Sequence, residues 1–278
     1  MGCGATFPVV DGILRLTSRS EGPAGYDAHY FSTLPQVEDA HFWFLARREV
    51  ILDGIRRAVP DLARRPLFDV GCGAGGLLAF LASRGVPLAG ACDAHAEGLA
   101  VARRRLEVPL VLVDEGRLPP LASGQAMVSL FDVLEHLDDD RGALAWIRSR
   151  LEPGGILVLT VPAHPKLFDE ADRLAFHRRR YRRGELERKL RAAGFEVRRL
   201  THFMAPLFPL MLVVRPLMAL LAPGDGRDNR DRELRVQPLA NGVMRAVLRL
   251  ERAWLRAFSL PFGTSLLAVA ARPMDAPG

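Results

Sequence analysis

Pro66-Leu67-Phe68-Asp69-Val70-Gly71-Cys72-Gly73-Ala74-Gly75-Gly76 is the stretch on which the fold turns. A short apolar run, Pro66–Val70, enters a glycine turn, and an apolar helical stretch, Leu77–Ser83, leaves it. Glycine lacks Cβ, so the main chain there turns tightly and comes close to a ligand. The helix that starts at the turn offers that ligand unpaired N–H groups. Strand, glycine turn and helix in this order form the nucleoside-binding corner of a doubly wound α/β sheet.

Two glycine patterns overlap here. Gly71-x-Gly73-x-x-Gly76 satisfies the dinucleotide fingerprint. Gly71-x-Gly73-x-Gly75, preceded by Asp69, resembles motif I of the class I S-adenosylmethionine-dependent methyltransferases. A carboxylate beside the turn suits a cationic cofactor with a free amino group. It suits a pyrophosphate poorly, because two anions would lie close together at low dielectric.

Strands and helices then alternate. Pro87–Cys92 is predicted as the second strand, ending at Asp93, about 20 residues past the glycines, where a ribose diol is usually gripped. Asp93 also suits the N-cap of a helix over Ala94–Leu106. Pro109–Val113 is the third strand, ending at Asp114; the resemblance implies that this carboxylate accepts from an adenine amino group. Ala126–Phe131 is the fourth, leading into Asp132-Val133-Leu134-Glu135-His136-Leu137, similar to the "DVLEHL" stretch of many small-molecule methyltransferases. By that resemblance Phe131 borders the methionine moiety, and Asp132 and His136 lie near the reaction chamber. Glu152-Pro153-Gly154-Gly155 is a tight turn before a fifth strand, Ile156–Val161. Phe195–His202 and Thr264–Ala271 complete a seven-stranded Rossmann-like sheet, which the family orders 3-2-1-4-5-7-6 with the last strand antiparallel.

Methyl transfer needs orientation, a dry chamber and, for some acceptors, a base. Candidates should follow the fourth and fifth strands. Pro162-Ala163-His164-Pro165, Asp169-x-x-Asp172 and His177-Arg178-Arg179-Arg180-Tyr181 lie there, in an order similar to methyltransferase types 11 and 12, relatives of quinone-biosynthesis enzymes. His164 is the first choice as proton acceptor and His177 the second, since imidazole titrates near neutrality. Arg180 and Tyr181 are read as holding an anionic or phenolic substrate, with His136 and Trp43 also facing it.

Residues 1–25 read as a leader and linker. Cys3 to Ile13 looks like the second half of a zinc ribbon, but one cysteine cannot supply about four ligands, so no metal is expected. Residues 26–60 are predicted as a helical lid. Glu38-x-x-His41-Phe42-Trp43-Phe44-x-x-Arg47-Arg48 resembles a family segment that closes over the cofactor. Residues 61–204 form the core, 205–262 an insertion, and 263–278 the last strand and tail.

Phe203–Ala222 is apolar except for Arg215, yet prolines at 206, 209 and 216 interrupt it. About 20 residues would just cross a bilayer. A single crossing would strand the last β-strand on the wrong side of its sheet, so a shallow membrane-facing hairpin or a greasy substrate wall fits better. In the helix expected over Leu239–Phe258, Arg245, Arg249, Arg252 and Arg256 form a stripe opposite Val243, Val247, Leu250 and Trp254. Such a helix can lie on anionic lipid.

With 278 residues, 49% of them apolar, a net charge of +6 and three cysteines, the chain suits an enzyme of a reducing compartment. No nucleic-acid motif is present. The reading is a cytoplasmic methyltransferase using S-adenosylmethionine on a small, lipophilic or lipid-linked acceptor, in peripheral contact with the inner face of the membrane. The alternatives are an NAD(P)-dependent oxidoreductase using the same glycines, and a non-catalytic membrane scaffold.

Overall fold

The computed structural model describes residues 6–17, 28–213 and 237–275. The expectations for Cys3, for the linker from residue 18 onward and for residues 214–236 lie outside the described residues.

The sheet is built from β1 (Val9–Val10), β2 (Ile13–Arg15), β3 (Leu67–Val70), β4 (Leu88–Asp93), β5 (Leu110–Leu112), β6 (Gln125–Phe131), β7 (Leu151–Pro162), β8 (Glu196–Phe203) and β9 (Ser265–Ala271). Their order is β1-β2-β5-β4-β3-β6-β7-β9-β8. The inner seven strands follow the expected order, and β9 runs antiparallel to both β7 and β8. Among the described residues the total is nine, not seven. The leader forms a small hairpin whose second strand pairs parallel with β5, Ile13 opposite Leu110. Two- and three-residue strands carry no alternation to read.

The central strands are buried on both faces, which is why they read as unbroken apolar runs. On one face pack α2 (Phe42–Ala58), α3 (Gly76–Ser83), α4 (Ala96–Ala102) and α8 (Pro238–Leu255), contributing Ile51, Ile55, Leu78, Leu99 and Leu248. On the other pack α5 (Asp140–Arg150) and α7 (Arg183–Ala192), with Leu144, Ile147, Leu186 and Leu190. The short α6 (Glu170–Leu174) lies between them in sequence. The predicted lid is two helices: α1 (Ala28–Ala40) and α2, separated at His41, which caps α2 by accepting from the Trp43 N–H.

α8 corrects the simple picture of an arginine face opposing an apolar face. Its protein-facing side is Asn241, Leu248, Glu251 and Leu255. Arg252 reaches Asp53 at 2.7 Å and Glu49 at 2.8 Å on α2, and Arg256 reaches Asp53 at 3.0 Å. Only Arg245 and Arg249 of the four remain exposed without such partners among the described residues. Leu239, Val243, Leu250 and Trp254 are exposed, as are Leu210, Leu212 and Val213 of the helical stretch 207–213. Among the described residues no helix is long and apolar enough to cross a membrane.

The buried Glu251 carboxylate accepts from the Met204 N–H at 2.6 Å and the Ala205 N–H at 2.8 Å, where the chain leaves β8. Removing it orphans two buried donors. Glu251→Ala is expected to lower stability by about 2–4 kcal/mol in urea titrations, and Glu251→Gln by less.

Candidate active site

The carboxyl ends of β3, β4, β5 and β6 meet at one cleft, whose lining includes Gly71, Asp93, His95, Asp114, Asp132, Val133, His136 and Phe176. The glycine turn forms its floor. Gly71, Gly73 and Gly75 all have positive φ. A Cβ on Gly71 would strike the Val133 side chain at 2.3 Å, whereas one on Gly73 would meet nothing within 4 Å. Gly73 thus faces open space, next to Gly71, which lines the cleft.

Asp93 and Asp114 line the cleft, while Asp69 lies beneath it in β3 and does not reach the lining. Asp69 is buried and accepts from the Ser129 hydroxyl. Burial outweighs that hydrogen bond, the Asp93 charge adds to it, Arg47 opposes it, and the Asp69 carboxyl is pushed up to about 7. Asp93 accepts from the Gly73 N–H at 2.7 Å and the His95 N–H at 2.8 Å, and its second contact with His95 is at Nδ1, 3.0 Å away. Asp93 is not the N-cap of α4; His95 holds that position and the helix starts at Ala96. Asp114 accepts from the Thr17 hydroxyl. The leader thus reaches the cleft through Thr17, which no motif singles out.

Helices α1 and α2 border the site. Glu38 of α1 pairs with Arg105 at 2.6 Å and lies directly against Gly76. Phe31 packs 5.4 Å from the His95 ring. In α2, Arg47 pairs with Asp132 at 2.6 Å and sits over the rings of Trp43 and Phe131, at 5.3 and 5.9 Å. Trp43, Phe131 and Asp132 are thereby brought together by one guanidinium. Asp132 itself has φ of 59°, a backbone held off the common regions at the end of β6.

The histidines separate into two places. His136 lines the cleft, and its ring centroid lies 4.9 Å from that of His177. Burial, helped by His177, lowers the His136 pKa to about 4, so its imidazole is uncharged at neutral pH. His177 Nδ1 is 2.8 Å from Asp172. Burial would raise Asp172, but the His177 hydrogen bond and Arg180 bring it down to about 2. His164 lies elsewhere, stacked 5.2 Å from His202 and 4.5 Å from Phe208, and is not among the residues lining the cleft.

Arg180 and Tyr181 are not available to a substrate. Arg180 makes two bonds to Asp172, at 2.9 and 2.8 Å, and one to the Ala163 carbonyl at 3.4 Å. Tyr181 is fully buried, and its hydroxyl donates to Asp140 at 2.8 Å. The expectation that they hold a substrate misses these partners, because Asp172 and Asp140 are not their neighbours in sequence.

A sheet of this order, with a glycine cradle beside acidic strand ends, defines a class I S-adenosylmethionine-dependent methyltransferase, and S-adenosylmethionine is its cofactor. The family described as "Methyltransferase domain" matches residues 43–200, more than half of the chain, and the chain belongs to that family. No curated protein matches the chain at a significant level. Among solved structures, it resembles phosphoethanolamine N-methyltransferase 2 of Haemonchus contortus in complex with S-adenosyl-L-methionine. The TM-score is 0.58 at 16% identity over 90% of this chain and 58% of that longer one. It also resembles S-adenosylmethionine-dependent methyltransferases from Mesorhizobium loti and Thermotoga maritima. For the first, the TM-score is 0.51 at 17% identity over 79% of this chain and 96% of that one. For the second, it is 0.51 at 14% identity over 87% and 97%. At such identities the likeness is one of fold.

Two pairs of outcomes follow from this geometry. Gly71→Ala is expected to unfold the protein or lower its Tm sharply, while Gly73→Ala stays folded and loses S-adenosylhomocysteine binding by calorimetry. Ionising Asp69 in the folded protein costs stability; that cost is absent below 3.8, grows with rising pH, and is complete above about 7. Asp69→Asn should therefore raise Tm in alkaline buffer and leave it nearly unchanged in acid.

Proposed function

We propose that the protein methylates a small lipophilic or lipid-linked acceptor at the surface of an anionic membrane, from the cytoplasmic side. S-adenosylmethionine supplies an electrophilic methyl group on a sulfonium. Asp69 holds the amino group of the cofactor, Asp93 its ribose, and Asp114 its adenine. Gly71, Gly73 and Gly75 shape the cradle, and Phe131 walls off the methionine end. The observation that supports this assignment is the cleft that Gly71, Asp93 and Asp114 line together, where two carboxylates would repel a pyrophosphate. The same charge pattern disfavours the nicotinamide reading.

The acceptor enters opposite the glycine turn, between Trp43 and Arg47 of the lid and the turn that carries His136. Arg47 orients Asp132 and shields the chamber from water. His136 offers an uncharged nitrogen lone pair on the acceptor side. His177, fixed by Asp172, supports it from behind; His164 instead belongs to the wall near the insertion.

The lipid reading rests on the outer side of α8. Leu239, Val243, Leu250, Trp254 and Phe258 are exposed on that side and its C-terminal extension, and Arg245 and Arg249 are exposed on another side of the same helix. A helix with exposed apolar side chains on one side and arginines on another suits the boundary of an anionic bilayer. The helical stretch 207–213 adds Leu210, Leu212 and Val213.

Flotation with vesicles containing phosphatidylglycerol is expected to carry the wild type and to leave Leu250→Glu/Trp254→Glu behind, with S-adenosylhomocysteine affinity unchanged. Asp93→Ala should do the reverse, floating normally while binding S-adenosylhomocysteine far more weakly. Wild-type protein that stays at the bottom of the gradient and methylates only small polar acceptors would overturn the lipid reading.

A further inference from the structure

We propose that Glu135, His136 and His177 form a binding site for one divalent transition-metal ion at the acceptor end of the cleft. One ligand atom from each residue lies within 4.8 Å of the other two. Glu135 is completely buried, and among the described residues neither of its carboxylate oxygens has a side-chain hydrogen-bond partner. A carboxylate in that position is costly unless a cation or a proton compensates it. Its near neighbour is His177 Nε2, 3.9 Å from Oε1, a gap too long for a hydrogen bond.

The surroundings are arranged as they are around metal-bound histidines. The outer nitrogen of His177, Nδ1, faces Asp172 at 2.8 Å, which turns Nε2 inward toward Glu135. Asp172 is itself fixed by the Arg180 fork and by the Asp169 N–H at 2.9 Å. The His136 ring is hydrogen-bonded by the Phe176 backbone. A ligating imidazole that passes its other N–H to a carboxylate or carbonyl is held in one tautomer and one orientation. This also accounts for the burial of Arg180 and Asp172, which hold His177 without touching the cleft.

Two imidazoles and one carboxylate select a first-row divalent ion such as zinc, manganese, iron or cobalt over calcium. Bonds of about 2.0–2.2 Å would draw the three donors together by roughly 1 Å, within reach of side-chain rotation. Three protein ligands leave positions free on the ion. His136 lines the cleft, so those positions open toward it. On the reading that this cleft carries out methyl transfer, the ion would hold an acceptor through a hydroxyl or other oxygen, and the site favours an oxygen-bearing acceptor over an amine.

The test uses the full chain, stripped with EDTA and titrated with Co2+. Visible d–d bands saturating at one ion per chain, and displaced by Zn2+, are expected. Glu135→Gln and His177→Ala should weaken Co2+ at least about tenfold while retaining a cooperative melt and S-adenosylhomocysteine binding. Should either variant fail to fold, Mn2+ added to wild type gives a second readout. It should broaden the ring signals of His136 and His177 and spare those of His164 and His202. No stoichiometric Co2+ in wild type, equal Co2+ affinity in both folded variants, or Mn2+ broadening centred on His164 and His202 would each overturn the proposal. S-adenosylhomocysteine binding measured on the same samples tells failure of the metal site from failure of the cofactor cleft.

Discussion

The interaction on which the rest depends is the grip of Asp93 on the glycine turn. One carboxylate takes the Gly73 N–H with one oxygen and the His95 N–H with the other. It ties the turn after β3 to the start of α4 and fixes the backbone of a loop that glycine alone would leave loose. It also places a negative charge beside Asp69, which is already deprived of water. The cleft therefore carries an electrostatic debt in its resting form. A ligand that brings positive charge relieves it, and one that brings phosphate worsens it. The fold and the choice of cofactor thus have a common origin in where β3, β4 and β5 end.

The central sheet was legible because its signals are local. Each strand is an apolar run, each turn carries its glycines, and the acidic residues stand at strand ends. The leader hairpin was not, since Val9–Val10 and Ile13–Arg15 are too short to show a period and depend on β5, nearly a hundred residues away. Residues 178–183, dense in arginine, look like a solvated face. In the fold Arg180 is buried against Asp172, and Tyr181 reaches across to Asp140, 41 positions upstream. The same distance problem hid Glu135, whose burial nothing in its immediate neighbours announces. His164 looked like the better proton acceptor because it follows β7 directly. A positive φ of 60° and stacking on His202 turn it toward the insertion instead.

Helices α1 and α2 link the glycine turn to the ends of β6 and β7. α1 rests on the glycine turn through Glu38 and Arg105, and α2 enters the chamber through Arg47. Arg47 is nearly buried and touches Asp132, Thr160, Trp43 and Phe131. One guanidinium therefore ties α2 to the ends of β6 and β7. A movement of α2 shifts the wall of the chamber and the Asp132 carboxylate in the same stroke.

β9 lies between β7 and β8, although it follows β8 by about sixty residues. Among the described residues β8 has no sheet neighbour except β9, so it cannot join the sheet until the intervening chain has been made and brought home. α8 lies within that intervening chain, and docks on α2 through Arg252, Asp53 and Leu248. During synthesis β7 therefore spends a period with a naked, strongly apolar edge, the condition under which nascent chains aggregate or recruit chaperones. The timing of that helix's docking sets how long the danger lasts, and overexpression yield should be more sensitive to changes along the α2–α8 seam than to changes in the cleft itself.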